Sequence, residues 1–360
     1  MDGINPSSCA ILLGNILPVH DTQGVQSVVC TLRNADPGGC YLERSGIGVR
    51  YLGFGKYSLA NVKAISALIN REKTDLVHLH GYSAANFGRM ASRKTGIANV
   101  VHEHAVLRTL PHQFAADLLL RSSTDSAIAV SENVKKFMIR SRSIPARKIR
   151  VIWNGIDLRK FTRIANEAIQ EKKRELNIPI GVPIVGTVTR LRKEKGVEHL
   201  IRAIPIIHNA VPEAFFLIVG DGPLRGKLAD LSQALNVERQ TRFLGFRDDV
   251  ADLLSLFDIN VIPSLTEGFP LSLIEGMCIG TPIVATAVGG INEIGVEGEN
   301  VLFVRPKRAD EIAHKVIHLL KDSTMREKFS QSGRRLSQKF GIESNATKLR
   351  QLYDDVITNC

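Results

Sequence analysis

The chain has 360 residues, 44% apolar, 23% charged and 6% aromatic, which suits about two domains of 100–200 residues with full cores and excludes disorder. No uncharged apolar run reaches the roughly 18 residues that cross a bilayer, and Asp2 with no basic-then-apolar start predicts no export signal. The net charge is +11, with 21 Lys+Arg against 11 Asp+Glu in residues 1–160 and 26 against 25 in residues 161–360, so an anionic partner is expected on the first half.

The chain opens oddly. Pro6-Ser7-Ser8 resembles a helix start, and residues 9–17 carry apolar side chains suited to a helix. A doubly wound domain would open instead with a strand, a glycine loop and a helix. The first strand is therefore expected to be missing or degenerate; the competing reading makes 9–13 that strand and compresses a helix into 15–26 despite Pro18. Short β-branched runs then alternate with turns and helical stretches, predicting strands at 27–32, 75–80, 99–103, 126–130 and 148–152. A charged helix at 167–176, closed by Asn177-Ile178-Pro179, reads as a linker. Strands resume at 183–188, 214–219, 241–244, 258–263, 282–286 and 300–304, and helices follow at 309–321, 325–339 and 343–357. Alternation of this kind gives parallel sheets covered on both faces. The expected fold is α/β, with doubly wound units at 1–160 and 161–342 and a final helix in 343–360. Five cysteines (9, 30, 40, 278 and 360) lack metal or redox spacing and read as reduced thiols in a cytoplasm.

The densest motif runs from Ser264 to Ala285, after the strand at 258–263. Pro270 suits a first helical turn, leaving the amides of Gly268 and Phe269 at a positive helix end, which is an anion site. Glu267 lies just outside that helix and Glu275 about a turn and a half inside it. Carboxylates so placed can accept hydrogen bonds from sugar hydroxyls on either side of a bound phosphate. Alone, the two would be an ordinary loop residue and an ordinary helix residue; Gly268-Phe269-Pro270 between them favours a site. In the loop from Gly186 to Gly196, Arg190 and Lys195 stand beside a helix N-terminus, where fixed cations hold a diphosphate and neutralise it as it leaves. Arg192, Lys193 and Glu194 read as solvated. At Gly220-Asp221-Gly222-Pro223 a strand end meets a turn that lets backbone approach a ligand. His80 and His104 stand at the C-terminal ends of parallel strands, where open sheets bind ligands; His78 and His102 read as packing or supporting residues.

Together these elements, with Phe243-Leu244-Gly245, residues 280–285, Val288-Gly289-Gly290 and Glu293, resemble the C-terminal half of the retaining GT-B glycosyltransferases of family 4. Asn154-Gly155-Ile156-Asp157 matches the end of that family's N-terminal domain. The resemblance implies two Rossmann-like domains facing each other across a cleft, with the last helix crossing back to the first domain. It implies that Glu267 holds donor-sugar hydroxyls and Glu275 the ribose diol. Arg190, Lys195 and the helix start Gly268-Phe269-Pro270-Leu271 would grip the diphosphate. Gly220, Gly222 and Phe246 would line the nucleotide, and His104, with His80 nearby, would face the reacting sugar. No metal and no cofactor are expected, because cations and helix ends supply the charge. Attack on the same face, with the leaving phosphate helping to deprotonate the acceptor, is the implied route. One departure stands out: where the family opens with a strand and a Gly-Gly loop, this chain has Asp2-Gly3-Ile4-Asn5-Pro6.

The expected function is therefore a cytoplasmic, metal-independent, retaining glycosyltransferase. It would move sugar from a nucleotide-diphosphate sugar to a glycan or lipid-linked acceptor in cell-surface polysaccharide or glycolipid synthesis. The rivals are a nucleotide-sugar epimerase, against which the Glu267…Glu275 pair argues, and a donor-binding protein without transferase activity. Between Asn133 and Ile156 seven basic residues, Lys135, Lys136, Arg140, Arg142, Arg147, Lys148 and Arg150, stand with no acidic one. They predict reversible docking on an anionic membrane surface, with Phe137-Met138-Ile139 either inserting or facing the core. Nucleic-acid binding is not expected, since no aromatics interleave the basic residues.

Overall fold

The structure, a computed structural model, describes residues 8–55 and 57–358. The chain separates into two compact units, one of Met1–Ile156 with Ile342–Cys360, the other of Asp157–Gly341.

In the first unit β1 (Val29–Thr31) and β2 (Val49–Tyr51) form a parallel pair, and β3 (Leu76–His80), β4 (Ala98–Glu103), β5 (Ser126–Ala129) and β6 (Ile149–Val151) form a parallel sheet in that order. β2 has no counterpart among the strands expected from the sequence. Ser8–Thr22 is one helix running through Pro18, which agrees with the helical reading of 9–17 and sets aside a strand at 9–13. The 2–6 segment lies outside the described residues. The last helix, Ile342–Thr358, belongs to this unit. Its Ile342, Ala346, Leu349, Leu352 and Tyr353 are buried with Ile16, Val100, Ile128 and Ile152, and the Ile342 amide donates to the Ile156 carbonyl at 2.9 Å.

The second unit carries β7 (Ile184–Val188), β8 (Phe215–Val219), β9 (Thr241–Gly245), β10 (Ile259–Ile262), β11 (Ile283–Thr286) and β12 (Val301–Val304). All six are parallel, in the order β12-β11-β10-β7-β8-β9. β8 shows why this sequence makes a central strand. Phe216 and Ile218 enter the core beneath helices Val197–Ala210 and Ala309–Lys321, while Phe215, Leu217 and Val219 enter the core on the other face with Leu253, Leu254 and Phe257. Each such side chain contributes about 1.5–3 kcal/mol by leaving water. The charged helix expected as a linker proves to be packed. It spans Asn166–Glu175 and seats Ile169, with Leu176 and Ile178 after it, against Ile184 and Phe257. The reading of that segment as a tether is corrected by these apolar residues, which its flanking charges had masked.

Candidate active site

In the second unit β7 and β10 lie side by side, and the chain leaves them toward opposite edges of the sheet. The crevice beyond their C-terminal ends is the switch point where open parallel sheets bind ligands. The two loops singled out from sequence, 189–196 after β7 and 263–270 after β10, meet there. The Leu265 amide donates to the Glu194 carbonyl at 2.8 Å. Lys195 Nζ stands 2.6 Å from Glu267 Oε1, which also accepts from Ser264 Oγ at 2.7 Å. Glu267 is buried, so this ion pair and hydroxyl fix its rotamer before any ligand arrives. Gly196 sits at φ +60°, and a Cβ there would fall 2.1 Å from the Pro263 carbonyl oxygen; only glycine lets the lysine loop close on β10. Arg190 is half-buried in the same loop.

The helix after Glu267 is Leu271–Ile279, with Pro270 just ahead of it at the N-cap rather than in the first turn as expected. Gly268, Phe269 and Pro270 are buried and Leu271 is half-buried; the Phe269 ring packs against Phe340 with centroids 6.1 Å apart. More than a turn in from the anion-facing end, Glu275 is half-buried and has no hydrogen-bond or ion-pair partner among the described residues. Burial pushes its carboxyl up to about 7. Gly220 and Gly222 stand against the 189–191 backbone. The Gly220 amide donates to the Gly245 carbonyl at 2.7 Å, and a Cβ on Gly222 would lie 2.6 Å from the Leu191 carbonyl oxygen. Their first task is thus to let the loops after β7, β8 and β9 pack together, which brings Phe246, exposed just past β9, to the rim of the same loop cluster.

In the first unit β3 and β4 run in register with His80 opposite His102. Residues two apart share a face, so His78, His80, His102 and His104 gather at the C-terminal ends of these strands. His80 Nδ1 lies 2.9 Å from His104 Nε2 and His78 Nε2 lies 3.1 Å from His102 Nδ1. His102 and His104 stack with ring centroids 4.1 Å apart, and the His78 and His80 rings lie 4.2 Å apart at a tilt of 32°. His78 Nδ1 bonds the Tyr353 hydroxyl at 2.7 Å. Burial holds His104 down to about 4 and His78 to about 3, and His80 and His102 well below the usual imidazole range, so all four rings are neutral near pH 7. Two sets of potential metal ligands fall here, Cys9–His80–His104 and His78–His80–His102. One nitrogen of each ring is shared with a second imidazole, His80 with His104 and His78 with His102, while His102 Nε2 is buried with no hydrogen-bond partner among the described residues.

Two family models match in tandem: Glycosyltransferase Family 4 over residues 17–160 and Glycosyl transferases group 1 over residues 168–336. The chain belongs to glycosyltransferase family 4. It is 27% identical over 310 residues to an Escherichia coli enzyme named UDP-Gal:alpha-D-GlcNAc-diphosphoundecaprenol alpha-1,3-galactosyltransferase, covering 81% of this chain and 78% of that one. It is 26% identical over 311 residues to N-acetyl-alpha-D-glucosaminyl L-malate synthase of Bacillus anthracis, covering 84% and 80%. The fold matches that of Anabaena HepE, solved in complex with UDP, at a TM-score of 0.87 and 22% identity over 98% of both chains. Both units are therefore the Rossmann-like domains of a GT-B glycosyltransferase.

For this family member the basic run needs correction. Arg142 is buried. Its guanidinium bonds Glu103 at 3.2 Å and Asp117 at 3.4 Å and lies over the Tyr82 ring, 4.7 Å from its centroid. Its charge is spent inside the fold. Arg150 pairs with Asp355 at 2.6 Å, and Lys148 Nζ donates to the Thr124 carbonyl. Phe137 and Met138 point into the core and only Ile139 reaches the surface. Lys136, Arg140 and Arg147 stay exposed, with Lys135 half-buried. Sequence reasoning gave Tyr353 no role toward the histidines, because 275 positions separate it from His78.

Proposed function

We propose that this glycosyltransferase transfers a sugar from a nucleotide-diphosphate sugar to a lipid-linked or glycan acceptor, with retained configuration and without a metal ion. The observation that carries the reading is the Lys195–Glu267 pair at the switch point, with Glu275 set deeper on the following helix. Lys195 and Arg190 would face the diphosphate, Glu267 the sugar hydroxyls and Glu275 the ribose, while the start of helix Leu271–Ile279 adds its positive end. In the transfer step the bond from the anomeric carbon to the diphosphate breaks and the acceptor oxygen bonds that carbon on the same face. The acceptor proton passes to a diphosphate oxygen. The role of His104 toward the sugar rests on the family motif; its neutral ring would act as a hydrogen-bond partner rather than a cation.

The bound UDP of HepE and the named substrates of the E. coli relative favour a UDP-sugar donor and an acceptor carried on a lipid diphosphate; the B. anthracis relative makes a small soluble acceptor the second reading. Four unpaired thiols, Cys9, Cys30, Cys40 and Cys278, favour a reducing compartment. Among the described residues no helix is long and apolar enough to cross a membrane, and we propose reversible attachment to an anionic surface.

The test is nucleotide release from a panel of donors, with and without lipid-linked and soluble acceptors and with and without chelator, followed by NMR assignment of the product's anomeric configuration. Transfer that needs an acceptor, survives the chelator and keeps the donor's configuration is expected. Lys195→Ala and Arg190→Ala should each lower kcat on the order of 10²-fold, as loss of a preorganised charge on the leaving group does. Near-normal turnover of both at saturating donor overturns the diphosphate clamp, and inversion overturns same-face attack.

A further inference from the structure

The helix Pro111–Leu120 is inside out. Its buried residue is Asp117, while Phe114, Leu118 and Leu119 are 42%, 42% and 78% exposed, and Leu107 and Leu110 just before it are 54% and 41% exposed. A helix at a water surface turns its apolar stripe to the core and its charges outward. Here the core side is held by polar contacts. Asp117 pairs with Arg89 at 2.6 Å and with Arg142 at 3.4 Å, and the Tyr82 hydroxyl donates to the Gln113 carbonyl at 3.1 Å. The leucines therefore contribute little to folding and face water in a contiguous segment, the condition under which an apolar patch marks a contact surface.

Charge identifies the occupant. Between residues 104 and 124 Asp117 is the one acidic residue, and it is neutralised within the fold. Arg108 and Arg121 are exposed at the two ends of the segment. They lie in the half of the chain that holds nearly all the positive excess. An apolar strip of ten helical residues flanked by cations suits the plane of an anionic lipid surface, with leucines at acyl depth and guanidinium groups among the headgroups. We propose that this outer face, Leu107 to Leu119, docks the protein on an anionic membrane. The proposal deepens the peripheral attachment put forward above and replaces the 133–156 basic run as its main contact.

The experiment is co-sedimentation of the full chain with phosphatidylcholine vesicles and with phosphatidylcholine–phosphatidylglycerol vesicles, at low and high salt. The wild type is expected on the anionic vesicles, with binding weakened but not abolished by salt, since leucine burial is not screened. Leu118→Glu with Leu119→Glu should cut the bound fraction about tenfold or more, and, being exposed, should leave the melting temperature and donor binding unchanged. Leu119→Trp supplies a reporter that does not depend on that variant folding; its emission should shift to the blue on anionic vesicles. If the leucine variant binds like the wild type while Lys136→Glu with Arg140→Glu loses binding, this face is wrong and the attachment survives. Failure of the wild type to bind any vesicle overturns the attachment and this proposal together. A dimer in light scattering that Leu119→Ser converts to monomer assigns the face to a second copy and overturns the lipid.

Discussion

At Glu275 ligand binding and stability pull in opposite directions. The folded protein holds this carboxyl near 7 by burial, against an ordinary value near 4.5. A raised folded value means the neutral acid is favoured. The stability so gained is fully present below about pH 4.5 and is lost as pH rises through about 7. Glu275→Gln should therefore raise the melting temperature at about pH 8 and leave it unchanged at about pH 4.5. The same variant should weaken donor binding by about 1.5–3 kcal/mol, the worth of a charged hydrogen bond to ribose hydroxyls. Wild-type donor affinity should rise between about pH 6 and 8 as the carboxylate forms. A flat calorimetric profile would remove Glu275 from the donor site. The histidine cluster works with the opposite sign. Folded values depressed to about 4 for His104 and about 3 for His78 give stability that is present above the ordinary 6.5 and lost as pH falls through the folded values. Melting temperatures taken downward from about pH 7 to 4 should drop steeply, and His78→Gln should flatten the slope.

Among elements, the helix Pro111–Leu120 depends on a buried ionic network more than on apolar contact. Asp117 lies between Arg89, almost wholly buried, and Arg142. Removing one partner of such a group leaves charges without compensation and costs about 3–5 kcal/mol. Asp117→Ala is expected to lower the urea midpoint by a corresponding amount, and an unchanged midpoint would mean the network contributes nothing net. The network also explains the failure of the basic-run reading. In sequence Arg142 is one of seven cations with no acid nearby; in space its acids come from β4 and from a helix 25 positions earlier. Helix Glu132–Ser141 buries Val134, Phe137 and Met138, and Arg142 at its C-terminal end is carried inward with them.

Over the whole molecule, the chain leaves its first unit at Ile156 and returns to it at Ile342. Ile342, Ala346, Leu349, Leu352, Tyr353 and Val356 complete the first unit's core. At about 1.5–3 kcal/mol for each large apolar side chain, their loss is comparable to the 5–15 kcal/mol that holds a typical domain folded. A chain ending before Ile342 should lose the first unit's cooperative melting transition. Residues 157–341 expressed alone should still melt cooperatively and bind nucleotide. Loss of folding in both fragments would show that the units are not independent.

The second unit and its candidate donor site were legible because the information is local. Strand–helix alternation sets a parallel sheet. Lys195 and Glu267 sit in the loops just past strand ends, where the sheet's own geometry gathers them at the switch point, and Glu275 follows on the helix that the second loop opens. The charged helix Asn166–Glu175 misled for the converse reason: Ile169, Leu176 and Ile178 bind it to the core, and isolated apolar residues among charges carry no period. The tertiary structure alone decided what depends on distant partners. It paired the four histidines through the β3–β4 register, brought Tyr353 to His78, withdrew Arg142 from the surface and left the leucines of Pro111–Leu120 facing water. An ion pair, a ring stack or an exposed face is a relation between segments, and no single segment's composition records which of its charges will be met by another.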